Sequence, residues 1–224
     1  QTIIDCLVQE AKAAGIQLRP QANVTHFQPA NGGWEVTLAG GEKLQGQQLL
    51  VATGSNARTW EQLAQLGHAI VPPVPSLFTF NLKDPRLTGL AGLSVPAAQL
   101  QVDSLQATGP LLVTHWGLSG PAVLKLSAWG ARHLHEWGYD FALEVNWWGE
   151  GASAEAIACL QQARSPWARR QVTRQSPFEP LPQRLWERLV EAAGLPADRR
   201  WADLRKAEIQ RLAQEVTAGT YAVR

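Results

Sequence analysis

The stretch THWGLSGPAVLKLS, residues 114–127, combines side chains that can do chemistry with glycines that can turn a chain sharply. Its Gly-Leu-Ser run from Gly117 to Ser119 is close to the Gly-x-Ser-x-Gly turn on which hydrolases present a nucleophilic serine. The second glycine, Gly120, comes one residue too early for that turn, and Pro121 stands where the helix has to begin. The spacing therefore argues against a serine hydrolase.

Two interpretations of this corner stay open. In the structural one, Ser119 caps a helix, Pro121 lies in its first turn, where a missing N–H is harmless, and Gly117 makes the bend. In the functional one, free N–H groups at the helix start bind an anionic or carbonyl group of a substrate or nicotinamide cofactor. The candidate substrate or anion site then consists of Thr114, His115, Gly117, Ser119 and Gly120.

A second stretch, LLVATGS at residues 49–55, has the continuous apolar character of a strand that is buried on both faces of an α/β sheet. It includes Ala52, Thr53 and Gly54, whose small size lets a ligand approach the backbone at the end of the sheet. A strand followed by an ordinary turn explains the same pattern. The residues alone leave both interpretations open.

The histidines and cysteines do not form a metal-binding pattern. His133 and His135 lie two apart on a predicted helix, so they face different directions. No Cys/His spacing resembles a zinc site. We therefore predict no metal site, and we assign no catalytic acid or base.

An arginine-rich stretch, ARSPWARRQVTRQ at residues 163–175, raises the question of nucleic-acid binding, because cations beside Trp167 could contact phosphate and base. Residues 164–224 carry 12 Lys/Arg against 7 Asp/Glu, a modest excess, and the neighbouring helices are amphipathic. We expect a solvated surface here and no nucleic-acid partner.

Composition sets broader limits. The 224 residues are 45% apolar, which is enough for a sizeable core. The net charge of +1 gives no global attraction to nucleic acid or membrane, and no run approaches the ~20 apolar residues of a membrane helix. Cys6 and Cys159 are too few for a disulfide framework, so we expect a soluble protein of the reducing cytoplasm. The chain has no methionine and opens within an amphipathic helix, so we expect an internal fragment of a longer protein.

Periodicity and turn residues predict the elements that position these groups. Ile3, Leu7 and Ala11 share one face of an opening helix that Gly15 ends. Before residue 70 we predict a short strand at 16–20, an antiparallel meander at 22–46, the 49–55 strand and a helix that Gly67 ends. Beyond residue 77 we predict short strands up to 115, a helix at 120–137, a strand at 139–148, helices near 153–163, 181–193 and 201–217, and a new strand from 219.

Three longer strings carry a resemblance to a known family: GHAIVPPVPSLFTF, GPLLVTHWGLSGPAVLKLSAW and WADLRKAEIQRLAQEVTAGTYAV. Together they resemble the bacterial flavoproteins usually labelled NAD(P)/FAD-dependent oxidoreductases, which are related to aminoacetone oxidase and to a bile-acid reductase. The likeness spans nearly the whole chain, and THxGLSGPAxL is its most specific part.

The resemblance implies a mixed α+β and α/β fold, in which a glutathione-reductase-like FAD domain is interrupted by a β-barrel-like and helical insertion. Residues 1–58 would be part of the FAD domain, 59–118 the β-rich part of the insertion, 119–218 its helical part, and 219–224 the start of a strand that returns to the FAD domain.

Few cofactor contacts follow from the resemblance. Val24 matches the position whose backbone meets the adenine, and Ala52, Thr53 and Gly54 match the segment that lies along the cofactor. The Gly-x-Gly-x-x-Gly loop that cradles a pyrophosphate is absent. We therefore expect an inactive fragment of an FAD-dependent oxidoreductase, with NAD(P)H as a possible second cofactor, a small-molecule substrate and an insertion that caps the flavin. The alternative is a non-catalytic binding or dimerisation module.

Overall fold

The structure, a computed structural model, describes residues 2–149, 151–179 and 181–224. The chain forms two compact units, one up to Pro72 and one from Pro73 to Arg224. Among the described residues, every helix is too short or too polar to cross a lipid bilayer. The first unit contains α1 (Thr2–Ala13), β1 (Val24–Ala30), β2 (Gly33–Leu38), β3 (Lys43–Gly46) and α2 (Ala57–Gln65).

The predicted opening helix is confirmed, and local chemistry ends it. Gly15 adopts a φ of +73°, and the N–H of Ile16 donates to the carbonyl of Ala11 at 2.9 Å, as expected for a helix that stops at a left-handed glycine. None of the residues of α1 is buried, and Ile3 is 78% exposed. The apolar face that predicted the helix is therefore open to solvent in this chain.

The predicted meander is confirmed as an antiparallel sheet in the order β1-β2-β3. Asn31 and Gly32 both have positive φ at the first hairpin turn, as such a two-residue turn requires. Phe27 is buried beside Trp34, with 6.3 Å between ring centroids. The side chain of Gln62 in α2 accepts a hydrogen bond from the N–H of Phe27 at 3.0 Å, which fastens the helix to β1.

Two predicted strands of the first unit are wrong. Residues 16–20 and 49–55 form no strand, and Leu50 is 90% exposed. A strand that is buried on both faces needs hydrogen-bonded neighbours and covering layers. The described part of the first unit pairs only β1, β2 and β3, so the 49–55 run has no neighbouring strand.

The second unit is built on a six-stranded antiparallel sheet in the order β4-β7-β6-β5-β8-β9. The sheet curls into a half-barrel, and the N–H of Arg224 beyond β9 donates to the carbonyl of Asn81 in β4 at 3.0 Å, which joins the two edges. The strands are β4 (Phe80–Asn81), β5 (Ser94–Val102), β6 (Leu105–Val113), β7 (Gly117–Ser119), β8 (Phe141–Asn146) and β9 (Gly219–Val223), and the helices are α3 (Pro121–Trp129), α4 (Ala131–Glu136), α5 (Ser153–Ala163), α6 (Gln183–Ala192) and α7 (Lys206–Thr217).

The helix predicted at 120–137 is interrupted. It forms α3 and α4, which Gly130 separates. A Cβ at Gly130 would lie 2.7 Å from Cδ1 of Leu105 and 3.0 Å from the carbonyl oxygen of Leu126. The glycine thus permits a close approach at the point where the helix breaks.

One hydrophobic core joins the β-rich and the helical parts of the second unit. Three tryptophans are fully buried in it: Trp147, Trp186 and Trp201. The rings of Trp186 and Trp201 are stacked, with 6.4 Å between centroids, and the indole N–H of Trp186 donates to the carbonyl of Val172 at 2.7 Å. Trp186 of α6 therefore packs against the segment before the helix, at Val172, and the segment after it, at Trp201.

Candidate functional site

The corner between β6 and β7 is closed by Thr114. Its hydroxyl accepts hydrogen bonds from the N–H groups of Trp116 at 3.2 Å and Gly117 at 3.1 Å, and its own N–H donates to the carbonyl of Gly117 at 2.8 Å. Thr114 therefore fixes the loop, and its hydroxyl is engaged within the corner.

The two glycines of the corner allow the backbone to pass close to its neighbours. A Cβ at Gly117, whose φ is +150°, would lie 2.2 Å from the carbonyl oxygen of Phe80. A Cβ at Gly120, whose φ is +100°, would lie 2.8 Å from the carbonyl oxygen of Pro110. Only glycine fits at either position.

The expectation that Ser119 caps a helix is wrong. Ser119 lies in β7, paired with Leu112 of β6, and the capping position of α3 is taken by Gly120, which offers no side chain. The strand pairing holds Ser119 one residue before the turn, and the positive φ of the cap requires glycine. Pro121 begins the helix as predicted.

Trp116 lies at the tip of the corner with its backbone hydrogen-bonded on both sides and its side chain 76% exposed. Its N–H donates to the Thr114 hydroxyl, and its carbonyl accepts from the N–H of Leu82 at 2.9 Å. His115 beside it is also exposed. No role was predicted for Trp116 from the sequence. A large aromatic between a histidine and a glycine at a strand end was the available signal.

A cleft of about 560 Å³ opens beside the corner. It brings together three of the five predicted site residues, Thr114, His115 and Gly117. Ser119 and Gly120 are not among the described residues that line it. The remaining lining residues are Leu82, Lys83, Asp84, Leu87, Thr88, Gly89 and Ala91. The sequence did not identify Lys83, which follows β4 and is distant in the chain from the corner.

Asp84 lies at one side of this cleft and is held as a carboxylate. Burial alone would raise its pKa, but the hydrogen bonds and the charge of Arg86 outweigh burial and keep the pKa of Asp84 below its usual range. Arg86 reaches the two carboxylate oxygens from Nε at 2.8 Å and from Nη2 at 2.7 Å. Asp84 is therefore poorly suited to donate a proton to a ligand.

The same guanidinium joins both edges of the half-barrel. Nη1 of Arg86 donates to Glu215 at 2.9 Å, and the guanidinium lies 3.7 Å from the ring centroid of Tyr221. Burial raises the pKa of the Tyr221 hydroxyl, which accepts from the indole N–H of Trp147 at 2.9 Å. The Arg86 guanidinium neutralises Asp84, and the other ionisable side chains among the described residues that line the cleft are Lys83 and His115.

A larger cleft, of about 780 Å³, shares Thr88 and Gly89 with the first and lies against α6. Its walls carry both signs of charge, and Arg188 and Glu191 pair across 3.0 Å. The charged lining residues are Arg174, Arg184, Glu187, Arg188, Glu191 and Asp198.

The predicted cofactor residues lie in the first unit. Val24 begins β1 and is half exposed, whereas Ala52, Thr53 and Gly54 belong to the exposed segment before α2. Gly54 has a φ of +62° and nothing within 4 Å of the position of a Cβ. Small side chains and open backbone at these positions leave room for a ligand to approach the chain. No hydrogen bond between described residues joins Val24 to this segment.

The described residues contain no group of three or more His, Cys, Asp or Glu side chains placed to hold a metal ion. His133 and His135 are exposed on α4. His135 contacts the hydroxyl of Tyr139 at 3.1 Å, and His133 lies 3.9 Å from Glu136.

Comparison with known proteins identifies relatives. Residues 74–224 match the family described as HI0933-like protein barrel and H2TH domain. The chain is 29% identical over 140 residues to the ribosomal RNA dihydrouridine synthase of Escherichia coli, which covers 58% of this chain and 35% of that protein. It is 36% identical over 93 residues to the ribosomal RNA dihydrouridine synthase of Haemophilus influenzae, which covers 37% of this chain and 23% of that protein. The chain thus spans about a third of the length of the first of these relatives.

Proposed function

The chain belongs to the HI0933-like protein barrel and H2TH family, which is associated with flavoprotein oxidoreductases, and from this we propose that it contributes the substrate-binding part of a flavin-dependent reductase that acts on a uracil base of RNA. The observation that carries the proposal is Trp116, an exposed aromatic whose backbone is hydrogen-bonded at the corner, between two residues that line the cleft, His115 and Gly117, all within the family-matched residues. The printed names of the two relatives supply the substrate class.

The chemistry of such a reaction is limited. Dihydrouridine differs from uridine by one hydrogen on each carbon of the C5=C6 bond. When bound in reduced form, a flavin would supply the hydride chemistry for one of these carbons. The protein has to hold the base, keep water away and deliver a proton to the other carbon.

Residues of the corner suit these tasks. The exposed face of Trp116 can stack on an unpaired base, the usual way in which proteins hold single bases of RNA. His115 carries the imidazole of the cleft, whose ring nitrogens can hydrogen-bond to a base. A cleft of about 560 Å³ is within the usual range for small-ligand sites, about 300–1,000 Å³.

We assign the flavin contacts to Val24 and residues 52–54, with FAD as the flavin and NAD(P)H as the source of electrons. The same proposal includes the predicted domain boundaries: residues 1–58 in the FAD domain, 59–118 and 119–218 in the insertion, and 219–224 in the strand that returns to the FAD domain. It also includes the capping of the flavin by the insertion. Our sequence prediction of a small-molecule substrate without nucleic acid stays a prediction. The relatives' names favour RNA.

The test uses the purified gene product that carries this chain. We expect flavin absorbance after reconstitution with FAD and, with a reductant and ribosomal RNA, a mass gain of two hydrogens on one uridine. Trp116→Ala should raise KM for RNA about tenfold or more, because base–aromatic stacking contributes roughly 1–3 kcal/mol. Trp129→Ala, which removes another exposed tryptophan, is the matched control.

A colourless protein that ignores FAD would overturn the redox proposal and favour the non-catalytic binding module. A protein that shows flavin absorbance and reduces small molecules but not RNA would support the oxidoreductase proposal. The same result would overturn RNA as the substrate. Equal KM values for the two tryptophan variants and the parent would remove Trp116 from the site.

A further inference from the structure

We infer that five exposed arginines of the second unit form a binding surface for the phosphate backbone of RNA. We call this surface the arginine band; its residues are Arg164, Arg169, Arg170, Arg174 and Arg200. The inference rests on the proposed function for its choice of RNA, and it goes beyond it by assigning a second contact region, separate from the corner at Trp116.

The band is assembled by pairing of two segments that are about thirty residues apart in the chain. The N–H of Trp201 donates to the carbonyl of Arg170 at 3.0 Å, and the N–H of Ala202 donates to that of Ala168 at 3.1 Å. Gln171 and Arg200 face each other in an antiparallel bridge. This pairing places Arg200 opposite Gln171 and beside Arg170, which the sequence alone does not reveal.

Side-chain hydrogen bonds extend the band at both ends. Nη2 of Arg164 donates to the carbonyl of Ala202 at 3.1 Å, so this guanidinium lies against the second segment. Nη1 of Arg170 donates to Oε1 of Gln175, the residue after Arg174, at 3.1 Å. The exposed arginines of residues 164–174 and Arg200 therefore come from two segments that pair with each other.

The charge of the band is largely uncompensated. Within the described residues, none of the five guanidinium groups pairs with a carboxylate, whereas Glu208 and Glu191 pair with Arg199 and Arg188 at 3.0 Å each. Asp198 and Asp203 are exposed nearby in the chain, and Arg174 also lines the larger cleft with Glu187 and Glu191. The positive excess therefore lies with Arg164, Arg169, Arg170 and Arg200. Such an excess attracts a polyanion, and guanidinium groups match phosphate oxygens in geometry.

The surroundings favour a rigid phosphate-binding surface over a stacking site or a membrane contact. Trp167 is packed edge-on against Trp201 at 5.5 Å, so it is engaged in the core. None of the large hydrophobic side chains exposed in the described part of the second unit lies between 138 and 224. The band thus lacks the apolar side chains with which a protein inserts into a bilayer.

The experiment measures binding of the chain to a fluorescently labelled RNA hairpin at several KCl concentrations, without flavin. The test variant carries Arg169→Gln, Arg170→Gln and Arg200→Gln. The control loses the same charge elsewhere, through Arg58→Gln, Lys125→Gln and Arg132→Gln. Because each phosphate contact contributes about 0.7 to 0.9 to the slope of log Kd against log salt, the test variant should lose roughly two units of slope. Its Kd should rise at least about tenfold at low salt, while the control changes little.

An unchanged slope and Kd in a test variant that melts like the parent would overturn the inference. Equal losses in the test and control variants would also overturn it, since net charge would then explain binding. Loss of binding to phosphatidylserine vesicles without loss of RNA binding would assign the band to a membrane and overturn it as well.

These outcomes are distinct from those of the proposed function. RNA binding through the band by a protein that forms no dihydrouridine would retain the band and overturn the proposed reaction. Dihydrouridine formation at an unchanged KM for RNA in the test variant would retain the reaction and overturn the band.

Discussion

The two units of this chain fold from equally clear local patterns but bury very different amounts of apolar surface. In the first, α1 forms at the predicted residues without burying one of them, and the buried hydrophobic residues are Phe27 and Leu38. In the second, strands and helices enclose one core that reaches from Phe80 to Val223. A helix or hairpin can thus be specified locally, whereas a core requires that distant elements meet.

The strongest test of this contrast makes one substitution in each unit. Leu189→Ala removes a fully buried side chain of α6 and should lower the free energy of unfolding by about 3–5 kcal/mol, since it loses apolar burial and leaves a cavity. Leu7→Ala removes a side chain of α1 that is 65% exposed and should change it by less than about 0.5 kcal/mol. Urea unfolding measures both. A large loss for Leu7→Ala would show that α1 is packed in solution.

A pair of glycines sharpens the contrast at the level of the backbone. Gly117→Ala should cost about 2–4 kcal/mol, because its Cβ would overlap Phe80 in addition to the strain of a positive φ. Gly41→Ala in the first unit, with a φ of +82° and open space around it, should cost about 1 kcal/mol from strain alone. Thermal unfolding of the two variants gives the difference. Equal costs would mean that β4 moves away freely at the corner.

The smallest effect on the free energy of unfolding is expected at two Arg–carboxylate pairs, and it depends on pH. The folded chain lowers the pKa of Asp84, so its contribution is complete above the unfolded pKa of about 3.9 and is lost as pH falls through the folded pKa. Asp84→Asn should therefore cost about 2 kcal/mol at pH 7, and less as pH falls below about 4.

Glu42→Gln, which breaks the exposed pair with Arg19 in the first unit, is the control and should have little effect at either pH. Urea unfolding at pH 7 and pH 3 separates the two cases. A pH-independent cost of Asp84→Asn would contradict the assigned charge of that carboxylate.

Much of the fold could be predicted from sequence. Gly15, Asn31 and Gly67 mark turns where the backbone needs positive φ or tight bends, and most helices of the second unit carry a regular apolar period. The 49–55 run was misassigned because its apolar residues indicate burial without naming a neighbouring strand. Ser119 was misassigned because a serine two residues before a proline suits a cap, whereas strand pairing with Leu112 holds it one residue before the capping position.

The candidate site was predicted only in part for the same reason. Thr114, His115 and Gly117 are consecutive or nearly so, and one corner keeps them together. Lys83 and Asp84 come from the segment after β4, and Arg200 reaches the arginine band from about thirty residues away.

The sequence by itself determined the periodicity of the elements, the positions of the turns and the chemistry available at the corner, because these depend on each residue and its near neighbours. Only the tertiary structure decided which apolar faces are covered, which carboxylates neutralise which arginines, and where Trp116 is exposed. Those outcomes depend on strand pairing and packing between residues far apart in the chain, and no local pattern records them.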